Sequence, residues 1–211
     1  PSSAASDVYK RQDIHRAVAA AVNGIPPDEV TPEMRRQAKV VNFGIIYGVS
    51  PHGLATELGI SHQEAKEFID AYFARYPGVK AFIERTIQKA KEDGFVRTIA
   101  GRIRYISGLE DEHSPRRAQA QRLAVNTIMQ GSAADLIKIA MIRVHRRLQN
   151  DARARMLLQI HDELLFEVED AAIGDIKDIV VDIMSNALDL RVPLVVDAKA
   201  GKNWADLKEL P

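Results

Sequence analysis

The sequence has no cysteine, which excludes a disulfide framework and a thiolate metal site and suits an intracellular protein. It also lacks any apolar run near the ~18 residues that span a bilayer. The first twelve residues, PSSAASDVYKRQ, are small and polar with no apolar stretch behind them, so they do not read as a secretory signal. They read instead as a translated adapter or assembly artefact and stay outside the fold argument. Net charge is absent too, with 29 Lys and Arg against 29 Asp and Glu, so the chain is neither uniformly basic nor uniformly acidic.

That balance hides a split. From His113 to Arg155 nine cations (Arg116, Arg117, Arg122, Lys138, Arg143, Arg146, Arg147, Arg153, Arg155) face Asp135 and Asp151. From Asp162 to Leu190 nine carboxylates face Lys177 alone. A basic stretch beside an acidic one suits a polyanion surface next to a cation site. It equally suits two solvated helix faces of opposite sign. With 46% hydrophobic and 27% charged residues over 211 positions, the chain can bury a core as one domain or two small ones.

The local signals predict an α+β chain, mostly α-helical. Asp13 to Val22 reads as an alanine-rich helix closed by Asn23-Gly24. Thr31-Pro32-Glu33 combines a cap, a first-turn proline and an acid at the positive helix end, and predicts a helix to Tyr47 stopped by Gly48. Ser61-His62-Gln63-Glu64 is a capping box opening a helix to Arg75. Tyr76-Pro77-Gly78 breaks it, and another helix runs to Gly94. Phe95 to Ile106, with Ala100-Gly101 central, predicts a small hairpin. Ser114-Pro115 starts a long helix to Gln130, which Gly131 interrupts before helix resumes from Ser132 to Gln149. Arg155 to Val168 predicts a strand pair on either side of His161-Asp162-Glu163. A helix to Leu190 and a strand from Leu194 to Lys199 follow. No internal repeat or low-complexity tract is present.

Three stretches could carry chemistry. Arg35, Lys39, Phe43 and Tyr47 are spaced four apart and form a drifting stripe on one helix face. Two cations followed by two aromatics can hold a polyphosphate and stack a base or sugar, and Gly44 and Gly48 permit close approach. The same stripe could be aromatics in a core with cations at its rim. Arg122, Asn126 and Gln130, again four apart, could track a nucleic-acid groove or form an ordinary solvated face. His161-Asp162-Glu163 places two adjacent acids at the tip of an apolar hairpin. Two such carboxylates can ligate Mg²⁺, a hard cation that prefers oxygen; a plain polar turn is the alternative.

The motifs resemble those of the family A DNA polymerases, of the bacterial DNA polymerase I type. RRQAKVVNFGIIYG resembles the family's fingers motif, RxxxKxxxFxxxYG, through Arg35, Lys39, Phe43, Tyr47 and Gly48. LQIHDELLFEV resembles its His-Asp-Glu palm motif, RLAVNTIMQGSAADLIK its template–primer segment, and DIHR at Asp13 to Arg16 the segment before the fingers. Four motifs in order cover residues 13 to 207. Ile103 and Ser107 stand where related sequences more often carry Arg and Pro.

The resemblance implies fingers over 13–110 and the carboxy-terminal part of an antiparallel palm over 111–211. It implies template-directed DNA synthesis, in replication and repair, by nucleotidyl transfer from dNTP to a primer 3′ hydroxyl with two Mg²⁺ ions. Asp162 and Glu163 are then the metal ligands, Asp162 foremost. His15, Arg35 and Lys39 hold the triphosphate, with Lys39 as proton donor to the leaving pyrophosphate. Phe43 faces the sugar and Tyr47 lies near the templating base. Arg122, Asn126, Gln130 and His161 contact the primer terminus and template. The implied partners are a DNA template–primer and dNTP, without a membrane. The implied enzyme is a monomer of the cytoplasm, associated with the nucleoid. In this family a first catalytic Asp lies upstream of the DIHR segment, so the chain is expected to hold half of the metal site and to be inactive alone. Two alternatives stand beside this: a catalytically dead fragment that binds nucleotide or DNA, and an inactive α+β domain.

Overall fold

The computed structural model describes residues 13–210; the segment read as an artefact, 1–12, lies outside the described residues. They fall into two compact units, one of 13–97 with Arg102–Met129, the other of Thr98–Gly101 with 130–210.

The first unit is a set of capped helices around a core of mostly small side chains. Helix α1 (Ile14–Asn23) starts at Asp13, whose carboxylate accepts from the backbone N–H groups of His15 and Arg16, and ends at Gly24. Helix α2 (Pro32–Ile46) is capped by Thr31, which accepts from the N–H of Met34, with proline in the first turn. Helix α4 (His62–Arg75) carries the full capping box between Ser61 and Glu64. Each such cap satisfies backbone donors that would otherwise lack partners, and contributes ~1 kcal/mol. Helix α5 (Pro77–Asp93) closes at Gly94.

One helix has no counterpart in the sequence reading. Helix α3 (Pro51–Leu58) is capped by Ser50, which accepts from Gly53 N–H, and ends at Gly59 in the left-handed conformation. α1 to α4 share one core, in which Val18, Ala19, Val30, Ala38, Val41, Leu54 and Ala65 are buried. α5 leads into the antiparallel hairpin β1 (Phe95–Arg97) and β2 (Ile103–Tyr105), as expected. Ala90, Val96, Ile106, Leu109, Ala120 and Ala124 form a second small core there.

The expected break at Gly131 does not occur: α6 runs unbroken from Ser114 to Leu148. A mid-helix glycine costs only ~1 kcal/mol relative to alanine, and the flanking turns of α6 outweigh it. Its first part belongs to the first unit and its last part to the second.

The second unit contains the hairpin β3 (Ala154–Ile160) and β4 (Glu163–Val168), antiparallel with a register shift between Met156 and Leu158. Helix α7 (Ile173–Ser185) covers it: its Ile176, and Ala172 just before the helix, pack with Val144 and Leu148 of α6. α7 stops five residues short of the expected end at Leu190. The strand expected over Leu194 to Lys199 does not form; β5 (Lys199–Ala200) pairs with β6 (Lys208–Glu209). A strand needs a ladder partner, and among the described residues 194–197 has none. The result is the expected α+β class, mostly helical, with small antiparallel sheets. Among the described residues, no helix is long and apolar enough to cross a membrane.

Candidate functional site

In the first unit, α2 turns its expected stripe outward. Lys39, Phe43 and Tyr47 are exposed, while Ala38, Val41, Asn42 and Ile45 of the same helix are buried. Phe43 and Tyr47 stack nearly parallel, with centroids 6.3 Å apart and planes 10° apart. Two aromatics left in solvent in this way are unlike core residues, which decides against the core reading of the stripe. Phe43 also lies 5.6 Å from the ring of His15, brought up by α1. Sequence distance hid this: His15 and Phe43 are 28 positions apart.

The two adjacent arginines have separate fates. Arg36 is exposed and makes a paired contact with Glu33, at 2.8 and 2.7 Å. Those bonds hold the Glu33 carboxyl below its usual range. Arg35 instead bonds through Nε to the free oxygen of the α1 cap, Asp13. That hydrogen bond holds the Asp13 carboxyl below its ordinary value. Its terminal amino groups have no partner among the described residues, and neither does the ammonium of Lys39. Arg35 and Lys39, one turn apart on α2, thus place two cations along this face, Arg35 held by Asp13. His15 is bonded to Asn42, Nδ1 to Nδ2 at 3.0 Å. Burial pushes the His15 pKa down; Arg35 and Lys39 push the same way, against Asp13.

An open groove of about 700 Å³ lies along this stripe, lined by Lys39, Phe43, Gly44, Tyr47, Gly48 and Arg122, among others. Gly48 has φ +70°, and a Cβ there would come within 2.5 Å of the Arg122 Cγ. Absence of a side chain at Gly48 is thus what lets α6 bring Arg122 against the end of α2. Asn126 is half-buried, and its Oδ1 is enclosed without a hydrogen-bond partner among the described residues.

Gln130, His161, Asp162 and Glu163 belong to the second unit. All four are exposed. The hairpin tip is narrower than the sequence implied: His161 and Asp162 form a two-residue turn, and Glu163 is the first residue of β4, paired with Ile160. His161 has φ +53°, the sole non-glycine residue in the left-handed region among those described. Tight hairpins favour positive φ, and a side chain held there costs ~1–2 kcal/mol. Nothing in the sequence pattern signalled it.

Asp162 and Glu163 are oxygen donors of the kind a hard divalent cation takes. Among the described residues they are not joined by a third His, Asp or Glu in a group able to hold a metal. The donor chemistry fits Mg²⁺, but two carboxylates by themselves would make up only part of a coordination shell. The charge split partly cancels inside the second unit. Arg153 bonds Asp175 at 3.3 Å and Arg155 bonds Glu167 at 2.8 Å, which accords with solvated faces there.

The sequence model of DNA polymerase family A matches residues 5–206. The chain is 48% identical over 197 residues to DNA polymerase I of Caldicellulosiruptor bescii, covering 93% of this chain and 23% of that protein. It is 47% identical over 204 residues to DNA polymerase I of Bacillus caldotenax, covering 96% and 23%. A solved structure, the POL domain of Pol1 from M. smegmatis in complex with DNA primer-template and dNTP, superposes with a TM-score of 0.83. It is 43% identical to this chain and covers 87% of this chain and 32% of that one. The chain therefore spans less than a quarter of the length of these curated relatives. With most of its length matched by the family and by relatives of nearly half-identical sequence, the chain belongs to DNA polymerase family A.

Proposed function

We propose that this chain supplies the fingers, over 13–110, and the carboxy-terminal palm, over 111–211, of an enzyme of template-directed DNA synthesis. The observation that carries the reading is the outward stripe of α2. Lys39, Phe43 and Tyr47 are exposed, with half-buried Arg35 on the same helix and half-buried His15 against Phe43, beside a groove bordered by Arg122.

The incoming triphosphate binds Lys39, the free amino groups of Arg35, and His15. Arg35 offers a planar fork and Lys39 a compact charge, and phosphate oxygens accept from both. Lys39, which has no carboxylate partner among the described residues, donates the proton taken up by the departing pyrophosphate. Phe43 packs on the sugar, and Tyr47, stacked behind it, lies toward the templating base. Arg122, Asn126, Gln130 and His161 meet the primer terminus and template in the minor groove. The acceptors there, purine N3 and pyrimidine O2, occur in every base pair, so these side chains test pair shape without reading sequence. Asp162 and Glu163 would hold Mg²⁺, which when bound lowers the pKa of the primer hydroxyl and balances charge on the leaving group. The family resemblance assigns a further metal-binding Asp outside the matched motifs, so the expected outcome is that the 211-residue chain alone does not extend a primer.

Binding of dNTP to the purified chain tests the phosphate role. The parent binds weakly, and more weakly as salt rises. Lys39→Ala lowers affinity and flattens the salt dependence. Equal affinities for the two proteins at every salt concentration would end the assignment of Lys39. The alternative reading, a chain that binds nucleotide or DNA without catalysing, predicts the same titration; extension by an intact enzyme separates them.

A further inference from the structure

The buried face of α2 contains one residue that does not belong in a core. Ala38, Val41, Asn42 and Ile45 follow the spacing of a helix stripe turned inward, and Asn42 is only 6% exposed. An apolar side chain of the same size would pack there without a partner, whereas a buried amide needs one. Departures from local pattern of this kind concentrate at functional sites.

The partner is His15. The Asn42 Nδ2 lies 3.0 Å from the His15 Nδ1. An amide nitrogen carries protons and no free lone pair, so it donates. The Nδ1 atom must then accept, which leaves the ring proton on Nε2. The charged groups acting on the ring are Asp13 at the cap of α1, and Arg35 and Lys39 on α2. Phe43 packs on it from the same helix. Burial and the two cations disfavour a second proton, and Asp13 opposes them without prevailing.

We propose that Asn42 is a positioning residue of the triphosphate site, fixing His15 as the neutral tautomer protonated at Nε2, so that Nε2 presents a donor to a phosphate oxygen. The proposal rests on the reading of His15 as a phosphate ligand. Without Asn42 the imidazole could turn either nitrogen, or a lone pair, toward the anion. With it, one geometry and one proton position are set before nucleotide arrives, by a residue that touches no phosphate.

The test is long-range ¹H–¹⁵N correlation spectroscopy on the 211-residue chain labelled at histidine, with His15 assigned by loss of its signals in His15→Gln. The parent should show a protonated Nε2 and an unprotonated Nδ1. Asn42→Asp, whose carboxylate only accepts, should invert the pair. Asn42→Leu, which keeps the bulk and removes the amide, should give shifts averaged between tautomers. A protonated Nδ1 in the parent overturns the proposal with no variant needed, and so do unchanged His15 shifts in a folded Asn42→Leu. Titration with inorganic pyrophosphate completes the experiment. It should move the His15 Nε2 signal in the parent, with affinity weaker by about threefold to tenfold in Asn42→Asp, as for one lost hydrogen bond. A His15 signal that pyrophosphate leaves unmoved, in a parent of the expected tautomer, overturns the phosphate role of His15 itself. A wrong tautomer with a pyrophosphate response overturns the role of Asn42 alone.

Discussion

Replacing Gly48 by alanine should destabilise the chain for two separable reasons. Gly48 has φ +70°, where an added Cβ costs ~1–2 kcal/mol. The new methyl would also stand 2.5 Å from Cγ and 3.1 Å from Cδ of Arg122, so that side chain must leave its place. Forcing a side chain off its rotamer costs about 0.5–1.5 kcal/mol, and Arg122 is long enough to swing clear, so the upper part of that range is the ceiling. Gly24 provides the control, with φ +65° and nothing within 4 Å of an added Cβ. Gly24→Ala should therefore show the backbone cost alone, ~1–2 kcal/mol, and Gly48→Ala roughly 1.5–3.5 kcal/mol. Urea denaturation followed by circular dichroism measures both. In an Arg122→Ala background the steric part vanishes, and Gly48→Ala should fall back to the cost of Gly24→Ala. If Gly48→Ala costs no more than Gly24→Ala, or if its cost is unchanged without Arg122, the close approach of α6 to the end of α2 is wrong.

Other outcomes follow from the same structure. Leu54 is wholly buried in the core of the first unit, so Leu54→Ala should cost ~2–5 kcal/mol in the same urea experiment. Asp151 accepts from Arg153 backbone and guanidinium, and those bonds lower its pKa from 3.8 to about 2. A depressed carboxylate stabilises above its unfolded value and loses that contribution as pH falls through the folded one. Stability should therefore drop between about pH 4 and about pH 2, and Asp151→Asn should flatten that part of a pH titration of the urea midpoint. Phe43 offers no hydroxyl to replace a missing sugar 3′ hydroxyl, so a dideoxynucleotide would leave an acceptor unpaired, at roughly 1–3 kcal/mol. In an intact polymerase carrying this chain, Phe43→Tyr should erode discrimination against ddNTP in single-turnover incorporation, with dNTP rates little changed; an unchanged ratio would mean that the ring does not face the sugar.

Much of the fold was written locally. Thr31-Pro32-Glu33 and Ser61-His62-Gln63-Glu64 state their helix starts because caps act over three or four residues. The same kind of signal existed for α3, in Ser50-Pro51 and Gly59, but Gly53 in its first turn weakened the pattern. Gly131 does not break α6 because glycine's cost is small against the 35 residues of that helix. The strand over 194–199 failed because apolar β-branched residues describe a preference, and a strand also needs a neighbour. At the site, the four-residue spacing showed which side chains share a face of α2. It could not show which way that face turns; the buried row Ala38, Val41, Asn42 and Ile45 settles that. Contacts between distant positions, Asp13 with Arg35 and His15 with Asn42, depend on how α1 packs on α2 and have no local signature. The positive φ of His161 likewise follows from closing a two-residue turn.

The most direct test of the account is primer extension by a chimera in which residues 13–210 replace the matching stretch of Bacillus caldotenax DNA polymerase I, made with Asp162 intact and as Asp162→Asn. The account predicts template-directed extension by the first. In the second it predicts a loss of on the order of 10²–10⁴-fold in rate, as expected when a carboxylate balancing several kcal/mol of transition-state charge is removed, with affinity for the primer–template nearly unchanged. Extension by Asp162→Asn at the rate of the intact chimera would contradict it.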